Sequence, residues 1–501
     1  MQKAVTKKIV ALLAVVAFAI PIAAAAFSGC GPVETPDEIA SNYPNLAADG
    51  VFEVASGDKG DAAVFSFGKE ITFNTLVMRE KGSKITQFSL YKDGESEPFY
   101  SSDLIDEYRV CSFKPVSASK IVVRADSCDG GWKLDSLEAY MIDRQARDDF
   151  RIMGYITVDS LCAPVLDADE GLEDGSYGDQ DGGIDGSYTE VFEQVTQFNM
   201  IAGVYFTGDG SIVYKDISNR DGDGEADFDC ALDKLRGMAP DAEIVVTLLG
   251  NKNDISADGY DNTIDRHNAA MGDNAAKLTE NILAFIDKWG VDGVSFDYEY
   301  PSSAKDYRIY GEYLISLRAA LDEKYDGHKL LTAAIADWCM GEFTFKREYM
   351  DALDQIEVMA YDLFDDRGYH STFYRACYQI VENCRANGAD MSKVHLGVPF
   401  YSRPIDQDEF WGNYKVVSSV LSPSNVYTFP EPYTNSDGKQ GNAPNYFNDR
   451  QMIYDKTSYA IDLGLGGIMI WHMACDDTEN LDRSLTGAIA AAVADRAALA
   501  Q

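Results

Sequence analysis

Two carboxylates and a hydroxyl stand at alternate positions in one short run: Ser295, Asp297 and Glu299, within the stretch VDGVSFDYEY at 291–300. Alternate residues of a β-strand share a face, so these three point one way. Val294, Phe296 and Tyr298 point the other way, where covering helices pack. Two carboxylates on one face of an otherwise apolar strand are costly to bury without a use. Their like charges raise at least one pKa, which suits a general acid. The plain structural alternative is a carboxylate pair at a strand end, solvated or salt-bridged.

The elements around this run say how it is positioned. An amphipathic helix precedes it, with Leu278, Ile282, Ile286 and Trp289 on one face and Gly290 at its end. Residues 150–501 alternate strand and helix, with strands expected at 151–156, 199–206, 243–249, 293–298, 330–336, 356–361, 394–400 and 467–471. Tyr310, Tyr313, Leu314, Leu317 and Leu321 mark one of the intervening helices. Eight such units imply an α/β fold, a closed parallel (β/α)8 TIM barrel whose site lies at the C-terminal strand ends. A doubly wound open sheet would want fewer units and a Gly-rich phosphate loop, which is not evident.

The run Asp292-Gly293-Val294-Ser295-Phe296-Asp297-Tyr298-Glu299 resembles the signature of glycoside hydrolase family 18, the chitinases and related endo-β-N-acetylglucosaminidases. That signature, DGxDxDxE, lies on the fourth strand of a (β/α)8 barrel; here Ser295 replaces its middle aspartate. Met359-Ala360-Tyr361-Asp362 is similar to the family's MxYD. Leu396 to Tyr401 is similar to its GxPxYG, with Ser402 in place of the last glycine. Gly467-Ile468-Met469-Ile470-Trp471 is similar to its GGxMxW, and Gly154-Tyr155 is family-like but less specific.

Most glycosidases place two carboxylates on opposite sides of the scissile bond. Asp297 and Glu299 share one side, so the chemistry needs another nucleophile. The resemblance implies the substrate's own 2-acetamido oxygen, an oxazolinium intermediate and retention. It implies catalytic roles for Glu299 as acid and then base, for Asp297 as orienter of the acetamido N–H, and for Tyr361 as donor to the acetamido oxygen. Asp362 would shape the same subsite, and Trp471 would form the apolar floor under the distorted sugar. Tyr401, Trp338 and Tyr155 are expected to line the groove, and Asp292 to bond neighbouring strands beneath it. Ser295 keeps a hydrogen bond but removes a negative charge, which is expected to lower the pKa of Asp297 relative to the family. The expected activity is hydrolysis of β-1,4-linked N-acetylglucosamine. The alternatives are an endo-β-N-acetylglucosaminidase cutting the chitobiose core of N-glycans and a non-catalytic lectin, although lectins of this family typically lose the glutamate. No cofactor and no metal are implied.

Lys3, Lys7 and Lys8 precede an apolar run, giving a signal peptide at 1–29; Cys30 lies in a stretch similar to a lipoprotein box, with ordinary cleavage as the competing reading. The protein is thus expected to be exported, touching a membrane only through a lipid at Cys30. Residues 30–44 read as a tether. Residues 45–145 show short alternating strands, a small all-β sandwich similar to the discoidin-like (factor 5/8 type C) jelly roll. Within it, Trp132 reads as a core or rim residue before a stacking platform. The formal net charge of −39 argues against nucleic acid and anionic surfaces and leaves an uncharged glycan as partner, with the chain a monomer. The cysteines show no metal spacing and read as buried thiols, with Cys111–Cys128 a possible disulfide. The acidic stretch 166–187 is expected to overhang the groove. The stretch Asn219 to Gly224 mimics the start of a calcium loop, but Cys230 stands where the closing glutamate belongs. The segment between Pro404 and Asn448, with Trp411, looks too short for the walled cleft of processive chitinases.

Overall fold

Strands that are apolar on both faces need cover on both, and a closed barrel wrapped by helices provides it. In the computed structural model, strands Arg151–Thr157, Gln197–Phe206, Glu243–Leu249, Gly293–Asp297, Leu330–Ile335, Gln355–Val358, Val394–Pro399 and Gly467–Trp471 pair in parallel in that order. The last strand pairs with the first, Ile468 against Ile152, which closes the barrel. The structure describes residues 38–143, 147, 149–162, 190–215, 223–250, 259–260, 262–421, 424–434 and 438–497. The signal peptide, Cys30 and the 166–187 overhang lie outside them, as do most of the tether and of the candidate calcium loop. Asp223, one of the two described residues of that loop start, caps the helix Gly224–Met238 by accepting from the Ala226 N–H.

All eight strands fall where the alternation puts them. The sixth is shorter than expected, ending at Val358. Met359 to Asp362 leave the sheet there, and Asp362 takes a left-handed backbone (φ 53) that a strand cannot continue.

The fourth strand is set from both ends. The helix Ala275–Trp289 buries Leu278, Ile282 and Ile286 and stops at Gly290, which is left-handed at φ 62. Asp292 then ties the strand to its neighbour: its Oδ2 accepts from the Ile244 N–H at 2.8 Å, and its own N–H donates to Ile244 O at 2.8 Å. Gly293 is required, because a Cβ there would lie 2.3 Å from Leu330 O on the adjoining strand. Beyond it Phe296 packs edge-on against Tyr310 and Tyr313, and Tyr298 stacks on His267 at 3.7 Å. The apolar face is therefore held by helices, and Ser295, Asp297 and Glu299 are left on the other.

The N-terminal region is an antiparallel sheet built on two long strands, Ala62–Glu80 and Arg109–Cys128. The second half of the first and the start of the second, Arg109 to Phe113, are buried on both faces, for a period-two reason. Leu76, Met78 and Cys111 face the module's own core, while Val77 and Val110 join the barrel's core. Trp132 is 2% exposed and donates from Nε1 to Asp58 O, a core position. The expected Cys111–Cys128 disulfide is absent: both thiols are free. They sit near the two ends of one strand, which rises about 3.3 Å per residue, far beyond disulfide reach. Cys230, read as a thiol, is disulfide-bonded.

A buried charge pair crosses the junction with the barrel. Arg109 Nη2 donates to Asp455 Oδ2 at 2.8 Å on the helix Arg450–Asp462, with both side chains fully buried. Tyr100 and the Ser112 N–H also donate to Asp455, and Arg109 reaches Ser102. Arg367, from the segment after the sixth barrel strand, donates to Asp106 at 2.6 Å and to Ser83 O at 2.9 Å. The module thus braces the segment that follows Asp362.

Candidate active site

The C-terminal ends of the barrel strands surround a cavity of about 380 Å³. Asp297 enters it from the end of the fourth strand, Glu299 from two residues past that end, and Tyr155 from the first strand. Trp338 comes from just after the fifth strand, Tyr361 and Asp362 from after the sixth, and Trp471 from the eighth. Tyr300, Asp337, Met359 and Trp411 also line it and were not singled out as site residues from sequence. Tyr300 and Asp337 stand outside the family motifs, and Met359 belongs to MxYD as a residue given no role of its own. Trp411 arrives from the small antiparallel sheet that follows the seventh strand, a tertiary placement.

The two carboxylates differ in environment. Asp297 is 9% exposed, and among the described residues its Oδ1 finds no hydrogen-bond partner. Burial pushes its pKa well above the usual carboxylate range, and the charges of Glu299 and Glu357 push the same way. Glu299 is exposed to the cavity. The arrangement is a buried acid whose neutral form is favoured, beside an accessible one.

Aromatic groups bound the space. Trp471 lies 5.3 Å from Tyr155 and 6.2 Å from Tyr361, the latter nearly parallel at 25°. Trp338 is 58% exposed and meets Tyr300 edge-on at 4.8 Å. The Tyr361 hydroxyl is kept neutral, its pKa pushed up by burial and then by the charges of Asp297 and Glu299, so it remains a donor.

Asp362 is fixed from three sides. Tyr401 donates to its Oδ1 at 2.9 Å, Arg403 pairs with it at 3.1 Å, and its N–H donates to His370 Nε2 at 3.0 Å. Burial alone would raise its pKa, but the partnership with His370 and the charge of Arg403 hold it below the usual range.

Two expected substrate-binding residues do not reach the cavity. Tyr401 is 1% exposed because Trp411 stacks over it at 4.3 Å, so it acts through Asp362 and Trp411. Ser295 is fully buried at the level below Asp297, and its hydroxyl donates to both oxygens of Glu357 at 3.3 and 3.2 Å. Glu357 on the sixth strand brings a buried carboxylate against Ser295, and its charge is one of the causes that raise the Asp297 pKa above the ordinary aspartate range, after burial and the charge of Glu299. Among the described residues no cluster of His, Cys, Asp and Glu has the arrangement to hold a metal ion.

Comparison with known proteins places this geometry. The sequence profile described as Glycosyl hydrolases family 18 matches residues 175–476. "Probable chitinase 2" of Drosophila melanogaster is 24% identical over 246 residues, covering 40% of this chain and 51% of its own length. "Chitotriosidase-1" of Mus musculus is 25% identical over 257 residues, covering 42% of this chain and 54% of its own length. The chain spans about half the length of the curated relatives it matches. Among solved structures, the Group IV chitinase of Ostrinia furnacalis in complex with allosamidin aligns with a TM-score of 0.50 at 17% identity. That alignment covers 69% of this chain and 99% of the other, a likeness of fold.

Proposed function

The chain belongs to Glycosyl hydrolases family 18, and we propose that it hydrolyses β-1,4-linked N-acetylglucosamine in chitin or chito-oligosaccharides, with retention, using the substrate's acetamido group as nucleophile. One observation carries this reading: a buried acid at the end of the fourth strand, Asp297, and an accessible acid two residues past it, Glu299, line one cavity. The two enter from the same side, so attack on the sugar carbon falls to the substrate.

Glu299 protonates the leaving glycosidic oxygen, and the same group later takes a proton from the incoming water. Asp297 accepts from the acetamido N–H, orienting the amide and stabilising the charge that develops on it. The neutral Tyr361 hydroxyl donates to the acetamido oxygen. Trp471 carries the sugar's apolar face, and Asp362, held by Tyr401, Arg403 and His370, shapes the same subsite. Trp338 and Trp411 supply apolar wall. The names of the relatives support chitin before the core of an N-glycan, and the presence of Glu299 supports a hydrolase before a lectin. The reading extends to a monomeric, exported protein with a lipid at Cys30 and a discoidin-like first module docked through Arg109.

The test is Glu299→Gln, assayed on chito-oligosaccharides beside a high-mannose glycoprotein, with products read by mass. Turnover of the oligosaccharide is expected to fall by about 10³-fold or more with the melting temperature unchanged. Near-wild-type turnover would overturn the assignment of Glu299.

A further inference from the structure

Asp362 carries a backbone that its own residue type does not favour. Its φ of 53 is left-handed, a conformation that a residue with a Cβ keeps only where its surroundings enforce it. Part of that enforcement is the buried His370, whose Nε2 accepts from the Asp362 N–H at 3.0 Å. His370 stands near the far end of the loop 363–371 that follows the sixth strand. The placement of Asp362 therefore depends on what shapes this loop.

Inside the loop the shaping falls to Asp365. Its Oδ1 accepts from the N–H groups of Arg367 and Tyr369 at 2.8 and 2.9 Å, and its Oδ2 accepts from Arg367 Nε at 2.8 Å. The turn at Gly368, with φ 80, presses so close to the neighbouring segment that a Cβ would lie 1.9 Å from Ile405 O. The loop closes where the Ser371 N–H donates to Leu363 O at 2.7 Å.

The rest of the Arg367 guanidinium reaches the N-terminal module. Nη2 donates to Asp106 Oδ1 at 2.6 Å, and Nη1 donates to Ser83 O at 2.9 Å. Both acceptors belong to one corner of the module. The Glu80 N–H donates to Asp106 O at 2.9 Å, and the Glu80 carboxylate accepts from the N–H groups of Lys84 and Ile85, beside Ser83. The Asp106 side chain is 6% exposed and that of Arg367 18%, so this is not a solvated surface pair of little worth. A second thread runs beside the first: Tyr369 stacks at 4.7 Å on Tyr446, whose hydroxyl donates to the buried Asp103 of the module.

We propose that the N-terminal module is a working part of the active site: Asp106 and Arg367 are positioning residues that set the loop 363–371 and, through His370, the backbone of Asp362. The module thereby acts on the sugar site without touching sugar. A module that served only to hold the enzyme on a polymer would change nothing on a soluble oligosaccharide. The inference rests on the proposed function for what Asp362 does to substrate, and on the hydrogen-bonded path alone for the coupling.

The test uses the full chain with Asp106→Ala, Asp106→Asn, Glu107→Ala, Asp362→Ala and Asp106→Ala/Asp362→Ala, each assayed below its melting temperature on a soluble chito-oligosaccharide. Glu107 is the control: it accepts from the Tyr374 hydroxyl at 2.8 Å across the same junction, on no path to Asp362. Asp106→Ala is expected to lose about tenfold in kcat with KM changed by less than about threefold, as a group displaced from its productive geometry does. Asp106→Asn keeps an acceptor oxygen and should recover about threefold of that loss. Glu107→Ala should stay within about twofold of wild type, and Asp106→Ala should cost less than about twofold once Asp362 is already alanine. A folded Asp106→Ala enzyme within about twofold of wild type would overturn the proposal, as would the same tenfold loss repeated on the Asp362→Ala background, or a Glu107→Ala enzyme equally slow. Should Asp106→Ala not fold, Asp106→Asn is read in its place, with a loss of about threefold expected and the wild-type rate overturning. Amide hydrogen exchange separates the two readings. A wild type that turns over no N-acetylglucosamine polymer sinks the proposed function, whereas the path is still read without activity. Peptides spanning 362–371 should exchange at least about tenfold faster in Asp106→Ala than in wild type and Glu107→Ala, and equal exchange in all three would contradict the path.

Discussion

Replacing Asp297 by Asn separates what this carboxyl does for the reaction from what it costs the fold. The side chain is 9% exposed, carries an unpartnered Oδ1, and is pressed by the negative charges of Glu299 and Glu357. An amide keeps the shape and an acceptor oxygen but removes the charge. Two unit charges about 4 Å apart interact by about 4 kcal/mol at an effective dielectric of 20, equivalent to about 10³ in rate. The amide oxygen still accepts the acetamido N–H, at about half the strength of a charged acceptor, so some of that is kept. The expected loss in kcat is thus about 10²- to 10³-fold, with a smaller change in KM. Stability should change little. Burial already favours the neutral form of this acid, so its replacement by an amide relieves little repulsion and the melting temperature should stay about the same. Initial rates on a chito-oligosaccharide and a thermal melt of the same sample make the assay. Activity within about fivefold of wild type would refute the role given to Asp297. A large drop in melting temperature would refute the account of its burial.

Two further outcomes concern the module junction. Asp455→Asn leaves the fully buried Arg109 without its counter-ion and should cost about 3–5 kcal/mol, read as a lower denaturant midpoint. Arg109→Met/Asp455→Leu, which removes both charges, should recover much of this, and a double variant no better than the single would contradict the reading. The pH dependence of stability has a definite sign. Burial raises Glu80 and Asp103 to about 7, and Asp449 and Asp455 to about 6. Acids raised on folding hold protons more tightly in the folded state, so the stability they confer is full below the ordinary carboxylate range and is lost as pH rises through 6 to 7. The melting temperature at constant ionic strength should be higher at about pH 5 than at about pH 8. A rise over that window would contradict it.

Much of this was legible in the chain itself, because barrel strands announce themselves by apolar runs and the face of a strand follows from parity. Asp297 and Glu299 could be placed on one side without coordinates, and Asp292 could be assigned its tie to a neighbouring strand. Tyr401 could not: its place at the end of the seventh strand was clear, but Trp411, which covers it, comes from an insertion whose path is tertiary. The Cys111–Cys128 pairing failed because two short strands, read separately, are one long strand with the cysteines near its ends. Glu357 is the instructive omission. It alternates with Met359 and Tyr361 beside an apolar strand, and the argument that singled out Asp297, that an inward charge is costly without a use, applied to it equally. Its partner Ser295 was read as a lost charge because the carboxylate against it lies 62 positions away in sequence.

The central claim is that the sugar's own acetamido oxygen is the nucleophile, and a pair of oligosaccharides differing at C2 tests it most directly. Wild-type protein would be given β-1,4-linked N-acetylglucosamine oligomers and their de-N-acetylated counterparts under identical conditions, with the anomer of the first product followed by proton NMR. The account predicts cleavage of the acetylated oligomer with the β-anomer formed first, and no comparable turnover of the other. Equal turnover of both, or the α-anomer appearing first, would contradict it.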